Sequence, residues 1–138
     1  MRTRLLPLVA CLSLVLCGCG RPTDVAEQFH DALAKGDGAK AFGMLSQSTQ
    51  AKLTRIAKAA HEASGGAISE DAAEMIVRGD GSLYPARADA QSHVVHASLL
   101  SANGPRAKVS VRIGETTHEI DLVKEGGHWK IDLPLDSP

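Results

Sequence analysis

The stretch RAKVSVRIGETTHEIDLVKEGGHWKIDL, Arg106 to Leu133, decides the fold of this chain. Its apolar and polar side chains alternate with a period of two, which is the pattern of β-strands that bury one face. Glycine-containing turn signals at 114–115 and 125–127 divide the stretch into strands at 106–113, 116–124 and 128–133. Because short loops join consecutive strands, we predict an antiparallel meander.

A fourth strand is expected just upstream, at about 92–100, and Asn103–Gly104 provides the turn that joins it to the meander. Pro105 directly follows this turn signal, so we expect a loop of more than two residues. Alternation assigns one face of each strand to the core. The residues predicted to face inward are Ala107, Val109, Val111 and Ile113, then His118, Ile120 and Leu122, and finally Trp129, Ile131 and Leu133. For the first strand both faces are open: we favour His93, Val95, Ala97 and Leu99 over the alternative set Val94, His96, Ser98 and Leu100.

The preceding part of the chain, residues 24–77, is rich in alanine and has the apolar spacing of amphipathic helices. Asp24, with Glu27 as its capping-box partner, is the expected start of the first helix, and Gly36 is its expected end. Further helix starts are expected at Asp37, at Ser48 or Thr49, and at Ser69. Helices followed by strands indicate the α+β class, with the helices packed on one face of an antiparallel sheet.

The chain begins with two arginines, Arg2 and Arg4, and continues with a short apolar run from Leu5 to Leu16. At about 1.5 Å per helical residue this run spans roughly 18 Å, well short of the roughly 30 Å of a bilayer's hydrocarbon core. A basic start, a short apolar middle and small residues after it are typical of a secretory signal peptide. We therefore expect residues 1–18 to be removed.

The sequence Leu16-Cys17-Gly18-Cys19 resembles the lipobox of bacterial lipoproteins, whose cysteine is acylated and becomes the first mature residue. The resemblance implies lipidation of Cys19 by fatty chains such as palmitate, with residues 19–22 as anchor and short tether. An ordinary cleaved signal peptide is the alternative. A zinc site would need a second ligand pair, and no cysteine follows Cys19. Gly20 after the lipidated residue implies the outer membrane, facing the periplasm, if the envelope has two membranes.

The predicted mature chain, residues 19–138, has 13 basic and 16 acidic residues and a net charge of −3. It contains no basic cluster, and one Trp, one Tyr and two Phe are too few for base stacking, so nucleic-acid binding is not expected. Its length suits one domain, which we place at residues 23–135. No cofactor is expected.

Three segments of the chain resemble the nuclear transport factor 2-like superfamily, and in particular its small bacterial lipoproteins of unknown function. They are FHDALAKGD (Phe29 to Asp37), AFGMLS, and VKEGGHWKIDLPL (Val123 to Leu135), which contains the family's Gly-x-Trp-Lys-Ile pattern. The resemblance implies a cone, in which a curved sheet of four or slightly more strands wraps around the helices. Some members are isomerases, dehydratases or hydrolases with an Asp, His or Tyr in the cavity; others bind small molecules or dimerise through the sheet.

Candidate site residues are the polar side chains that can face this interior. His118 is the best inward polar group and His93 is a possible neighbour on another strand, so both are weak candidates for an acid–base role. Tyr84, His118 and Trp129 are candidates for lining a pocket, although Trp129 is most simply a core residue. No further catalytic residue is expected.

A metal site is not expected from the histidine pattern. His93 and His96 are three apart on a strand and therefore face opposite ways. His30 and His61 lie on predicted helices without a second ligand at i+4. Three converging ligands are needed, and this sequence does not supply them.

Three functions remain open from the sequence. The one we favour is a non-enzymatic binding or interaction module of unknown ligand, anchored to the envelope through its lipid. The second is a cone-fold enzyme, of the isomerase, dehydratase or hydrolase type, that acts on a small organic molecule. The third is a structural partner in an envelope complex, and a homodimer through the sheet is compatible with it. A His–carboxylate pair in a deep cavity would favour the enzyme.

Overall fold

The computed structural model describes residues 20–78 and 95–135. Four helices precede four strands: α1 Pro22–Ala34, α2 Gly38–Gly43, α3 Gln47–Ala63, α4 Ala72–Arg78, β1 Val95–Asn103, β2 Arg106–Ile113, β3 Thr116–Glu125 and β4 His128–Asp132. The strands pair antiparallel in the order β1-β2-β3-β4, in a curved sheet that does not close. The predicted α+β class, with helices packed on an antiparallel meander, is confirmed.

One face of the sheet forms the core with the helices, and the predicted alternation is correct along β2, β3 and β4. The inward residues of these strands are buried, except His118 and Trp129, which are partly buried, and the helices contribute their own apolar stripes to the same cluster. The fully buried side chains that carry most of the core volume are Phe29, Leu33, Leu45, Leu53, Val109, Val111, Ile113, Leu122 and Ile131. Burial of such side chains from water is the main favourable contribution to folding.

The hairpin between β1 and β2 is tighter than the sequence predicts. Asn103 pairs directly with Arg106, so the loop consists of Gly104 and Pro105 alone. Gly104 has a φ of +56°, and the fixed negative φ of proline suits the position that follows, as in a type II′ turn. The expected longer loop is wrong because Pro105 occupies a position whose N–H the sheet does not require.

Strand β1 contains a bulge that its pattern of apolar residues does not predict. The register with β2 shifts between Leu99 and Ser101, so Leu100 is an extra residue. Upstream of the bulge, Val95 and Ala97 pack against the core as predicted, while His96 and Ser98 are exposed. Leu99 faces inward opposite Val109, yet Leu99 and Leu100 are each 50% exposed.

The first helix begins two residues earlier than the expected cap at Asp24. Pro22 occupies the first helical turn, where its missing N–H costs nothing, and Arg21 is the N-cap residue. Asp24 accepts a hydrogen bond from the Arg21 backbone N–H at 3.4 Å. Glu27 therefore does not take part in capping α1. Instead, its Oε1 accepts a hydrogen bond from the Ala97 N–H of β1 at 3.0 Å. This contact joins α1 to the edge of the sheet.

The N-terminal caps of α2, α3 and α4 agree only in part with the predicted helix starts. Asp37 caps α2 as predicted and accepts the Lys40 N–H at 3.0 Å. The cap of α3 is Ser46, earlier than the predicted Ser48 or Thr49. At the start of α4, Asp71 rather than Ser69 accepts a helix N–H, from Ala73 at 2.8 Å.

A cluster of Ser46, Thr49 and Asp132 fastens the start of α3 to the end of β4. We call it the hydroxyl–carboxylate cluster. Asp132 Oδ1 lies 2.7 Å from Ser46 Oγ and 3.3 Å from Thr49 Oγ1, and both hydroxyl residues are buried. The backbone reinforces the attachment, since the Ser46 N–H donates to Ile131 O at 2.7 Å and the Ile131 N–H donates to Met44 O at 2.9 Å. These bonds cover the outer edge of β4.

The other face of the sheet is polar. Lys108 extends between Asp121, at 2.9 Å, and Glu119, at 3.6 Å, on the neighbouring strand. The hydrogen bond to Asp121 and its negative charge raise the pKa of Lys108, and Glu119 adds to the effect. A polar face of this kind suits contact with water. No apolar patch on this face of the described strands supports dimerisation, which stays a prediction.

Candidate functional site

His118 lies on the inner face of β3, as the alternation predicts. Its cross-strand neighbour is the fully buried Val111 of β2, and Ile120 follows it on the same face. The side chain is half-buried, but its Nε2 atom is buried and has no hydrogen-bond partner among the described residues. A buried polar atom without a partner is costly, and native structures usually satisfy it with protein, water or a ligand.

His30 is the second imidazole of this interior, and it is not among the predicted site residues. It lies on α1 with no exposed surface, next to Phe29, whose ring meets it edge-on with centroids 6.1 Å apart. Its position was readable from the sequence, since His30 is four residues after the buried Ala26 and three before the buried Leu33. A helical histidine without a second ligand at i+4 can still be buried, because it can belong to the apolar stripe of its helix.

His118 acts electrostatically on His30, and we call these two imidazoles the histidine pair. Burial lowers the pKa of His30 to about 4, and the nearby His118 lowers it in the same direction. A neutral His30 is therefore the form present near pH 7. His30 on α1 and His118 on β3 both carry ring nitrogens that can accept or donate hydrogen bonds.

Three of the predicted site residues lie outside the described residues: Cys19, Tyr84 and His93. Trp129, the remaining pocket candidate, is partly buried and packs against the core. Lys124 Nζ lies 5.7 Å from its ring centroid, in a cation–π contact near the turn of the β3–β4 hairpin. Trp129 therefore acts in packing, and the structure does not bring it together with the histidine pair.

Within residues 20–78 and 95–135, no three His, Cys, Asp or Glu side chains converge as a metal site would require. In the same part of the chain, every helix is too short or too polar to traverse a bilayer. The polar chemistry of the described interior is thus that of the histidine pair and of the hydroxyl–carboxylate cluster. The latter is satisfied by its own hydrogen bonds.

Comparison of the chain with protein-family models, with curated proteins and with solved structures finds no match.

Proposed function

We propose that this protein is a lipid-anchored, non-enzymatic binding module of the bacterial cell envelope, which holds a small molecule between α1 and the inner face of the sheet. The observation that carries the proposal is the buried His118 Nε2 without a partner among the described residues. A ligand with a polar group fits such an atom, because it supplies the missing hydrogen bond while its apolar part contacts the surrounding core.

Binding is favoured over catalysis by what surrounds the histidine pair. A general base is normally oriented by a hydrogen-bonded partner, most often a carboxylate. The acidic side chains on β3 and β4 point away from the interior or bond elsewhere: Asp121 bonds Lys108, and Asp132 bonds Ser46. Among the described residues no carboxylate bonds His118 Nε2, so this atom can bind a polar group but lacks the partner that would orient it for proton transfer.

The anchor in this proposal is Cys19, supported by the lipobox-like sequence and the signal-like leader. Since α1 begins at Pro22, only Gly20 and Arg21 separate it from the lipidated residue. Three residue steps span at most roughly 10 Å, so the start of α1 would be held at the membrane surface. Gly20 favours the outer membrane in an envelope with two membranes. Multiple acyl chains make such attachment stable.

Replacing His118 with leucine should raise the free energy of unfolding of the ligand-free protein by about 1 kcal/mol. The substitution removes a buried nitrogen that lacks a partner and keeps similar apolar volume. Chemical denaturation of the purified protein followed by circular dichroism measures the change. His96→Leu is the matched control, because His96 is an exposed histidine on β1 and should not contribute in this way.

Native mass spectrometry of the lipidated protein, released from membranes in mild detergent, tests binding directly. We expect a small molecule bound to the wild-type and His96→Leu proteins and absent from His118→Leu. If His118→Leu destabilises the protein instead, His118 is a structural hydrogen-bonding residue and the proposal is wrong. A wild-type protein free of any small molecule would also contradict it.

A structural role in an envelope complex is the second candidate, and the half-exposed Leu99 and Leu100 on β1 favour it. Exposed apolar side chains on an edge strand are common at protein contacts. Changing both leucines to serine would leave binding of a small molecule unaffected, but it would remove the protein from a complex that depends on this edge.

A further inference from the structure

Helix α1 crosses the sheet from one edge to the other. Glu27, in its first half, accepts the Ala97 N–H of β1, and α1 also contacts β4, the strand at the opposite edge. The chain after α1 gives the direction, because it passes through α2 to Leu45, which pairs with Ile131 of β4. With 13 residues α1 spans about 20 Å, which exceeds the roughly 14 Å between the outer strands. The helix therefore begins on the β1 side of the sheet.

The β1 edge carries two adjacent apolar side chains, Leu99 and Leu100, which we call the leucine pair. Each is 50% exposed, and among the described residues only Ile68, in the loop between α3 and α4, is a comparably exposed large apolar side chain. Strand β1 contains no Lys, Arg, Asp or Glu, so contact at this edge removes no charged side chain of the strand from water. Exposed apolar patches of this kind mark contacts with membranes or with proteins.

The β1 edge is poorly suited to the addition of a further strand. The bulge at Leu100 interrupts the regular ladder of hydrogen bonds, and Glu27 already accepts the outward N–H of Ala97. The opposite edge, on β4, is covered by backbone hydrogen bonds with Met44 and Ser46. The β1 edge therefore offers a partner its leucine side chains rather than its backbone groups, which favours a lipid surface over a protein strand.

The proposed lipid anchor lies on the same side of the molecule as the leucine pair. Pro22 precedes Glu27 by five residues, about 7.5 Å along the helix axis, so the start of α1 lies at or beyond the β1 edge. Cys19 is joined to it through Gly20 and Arg21, a link of at most about 10 Å. Because this link keeps the β1 edge near the membrane, even a weak apolar contact forms at high effective concentration.

We propose that the β1 edge is a membrane-contact surface, and that the leucine pair enters the headgroup region of the bilayer that holds the anchor. An amphipathic element on a membrane surface buries its apolar side chains about 5–10 Å into the boundary between headgroups and acyl chains. The contact fixes the orientation of the module, with β1 towards the membrane and β4 away from it. This inference rests on the lipid anchor of the proposed function, but not on its small-molecule binding.

Fluorescent probes at two exposed serines test this orientation. Ser101 follows the leucine pair on β1, and Ser48 lies on the first turn of α3, whose cap Ser46 bonds Asp132 at the opposite edge. No cysteine follows Cys19, so Ser101→Cys and Ser48→Cys each provide a single thiol for an environment-sensitive fluorophore in the lipidated chain. The lipidated proteins are reconstituted in vesicles of phosphatidylethanolamine and phosphatidylglycerol that contain spin-labelled lipid, which quenches nearby fluorophores.

Quenching by lipid should be roughly threefold stronger at position 101 than at position 48, because only position 101 lies in the headgroup region. Replacing the leucine pair with serine should lower quenching at position 101 to the value at position 48, while the protein stays in the vesicles. Ile68→Ser is the matched control and should change neither value, because Ile68 is similarly exposed but lies outside the β1 edge. Should the double serine variant fail to fold, the comparison of the two positions in the chain with both leucines decides.

The outcomes separate membrane contact from its alternatives. Equal quenching at positions 101 and 48 would overturn the proposal, as would quenching at position 101 that persists without the leucines. A probe at position 101 that reports an apolar environment without quenching by lipid would show a protein contact, such as a second copy of this chain, and would also overturn it. The intact mass of the same samples separates this inference from the anchor: acylated Cys19 with equal quenching contradicts the membrane contact alone, whereas unmodified Cys19 contradicts both.

Discussion

Replacing Asp132 with alanine should lower the free energy of unfolding by about 2–4 kcal/mol. Asp132 Oδ1 is the shared acceptor for the hydroxyls of Ser46 and Thr49, both of which are buried. Without the carboxylate at least one of these hydroxyls loses its acceptor, and a buried donor without an acceptor costs about 1–3 kcal/mol. The same change loosens the start of α3 from β4. Urea denaturation followed by circular dichroism measures the loss.

Asp121→Ala is the matched control for Asp132→Ala. Asp121 is the direct cross-strand neighbour of Asp132, but its carboxylate bonds the exposed Lys108 on the outer face. Surface ion pairs contribute little, so this variant should lose much less stability. Asp132→Asn should also be mild, because its amide oxygen still accepts a hydrogen bond. Equal losses in Asp132→Ala and Asp121→Ala would show that the cluster does not hold the helical layer to the sheet.

Replacing Gly38 with alanine should lower the free energy of unfolding by about 2–3 kcal/mol, the usual cost of overpacking. A Cβ at Gly38 would overlap the backbone carbonyl oxygen of Ala73 and lie 2.8 Å from Val77 Cγ2. Since the obstacle is backbone, α4 would have to move away from α2. Thermal unfolding and the exchange protection of α4 should both report the displacement.

Gly43→Ala tests whether the effect of Gly38→Ala is steric. Gly43 ends the same helix, and an added Cβ would meet nothing within 4 Å. Alanine also has the higher helix propensity, so this variant should be neutral or slightly more stable. A similar loss in both variants would mean that loss of glycine flexibility, and not contact with α4, explains the effect.

The sheet was predictable because the alternation of apolar and polar residues and the choice of turn residues depend on interactions between residues that are close in sequence. Buried residues recur at every second position from Ala107 to Ile113, and glycines with positive φ sit at the predicted turns after β2 and β3. The bulge at Leu100 was not predictable, because two adjacent leucines satisfy either face equally well. The role of Glu27 was also missed, because its partner Ala97 lies 70 residues away. A contact between residues so far apart in the chain cannot be predicted from the few residues around either of them.

The candidate site was only half predictable from the sequence. His118 follows from strand phase alone. His30 requires knowing that the stripe of α1 lies against the part of β3 that carries His118, which is a property of the assembled fold. The need for glycine at position 38 has the same origin. The end of one helix at Gly36 and the start of the next at Asp37 follow from the sequence, but Ala73, the close neighbour of Gly38, belongs to α4.

We propose that a lipid on Cys19 holds this module at an envelope membrane. Intact-mass and N-terminal peptide mass spectrometry of the protein from bacterial membranes tests it most directly. The account predicts a chain that begins at Cys19, with acyl chains on its sulfur-linked glyceride and on its amino group. A chain that retains Met1, or one whose Cys19 is unmodified, would contradict it.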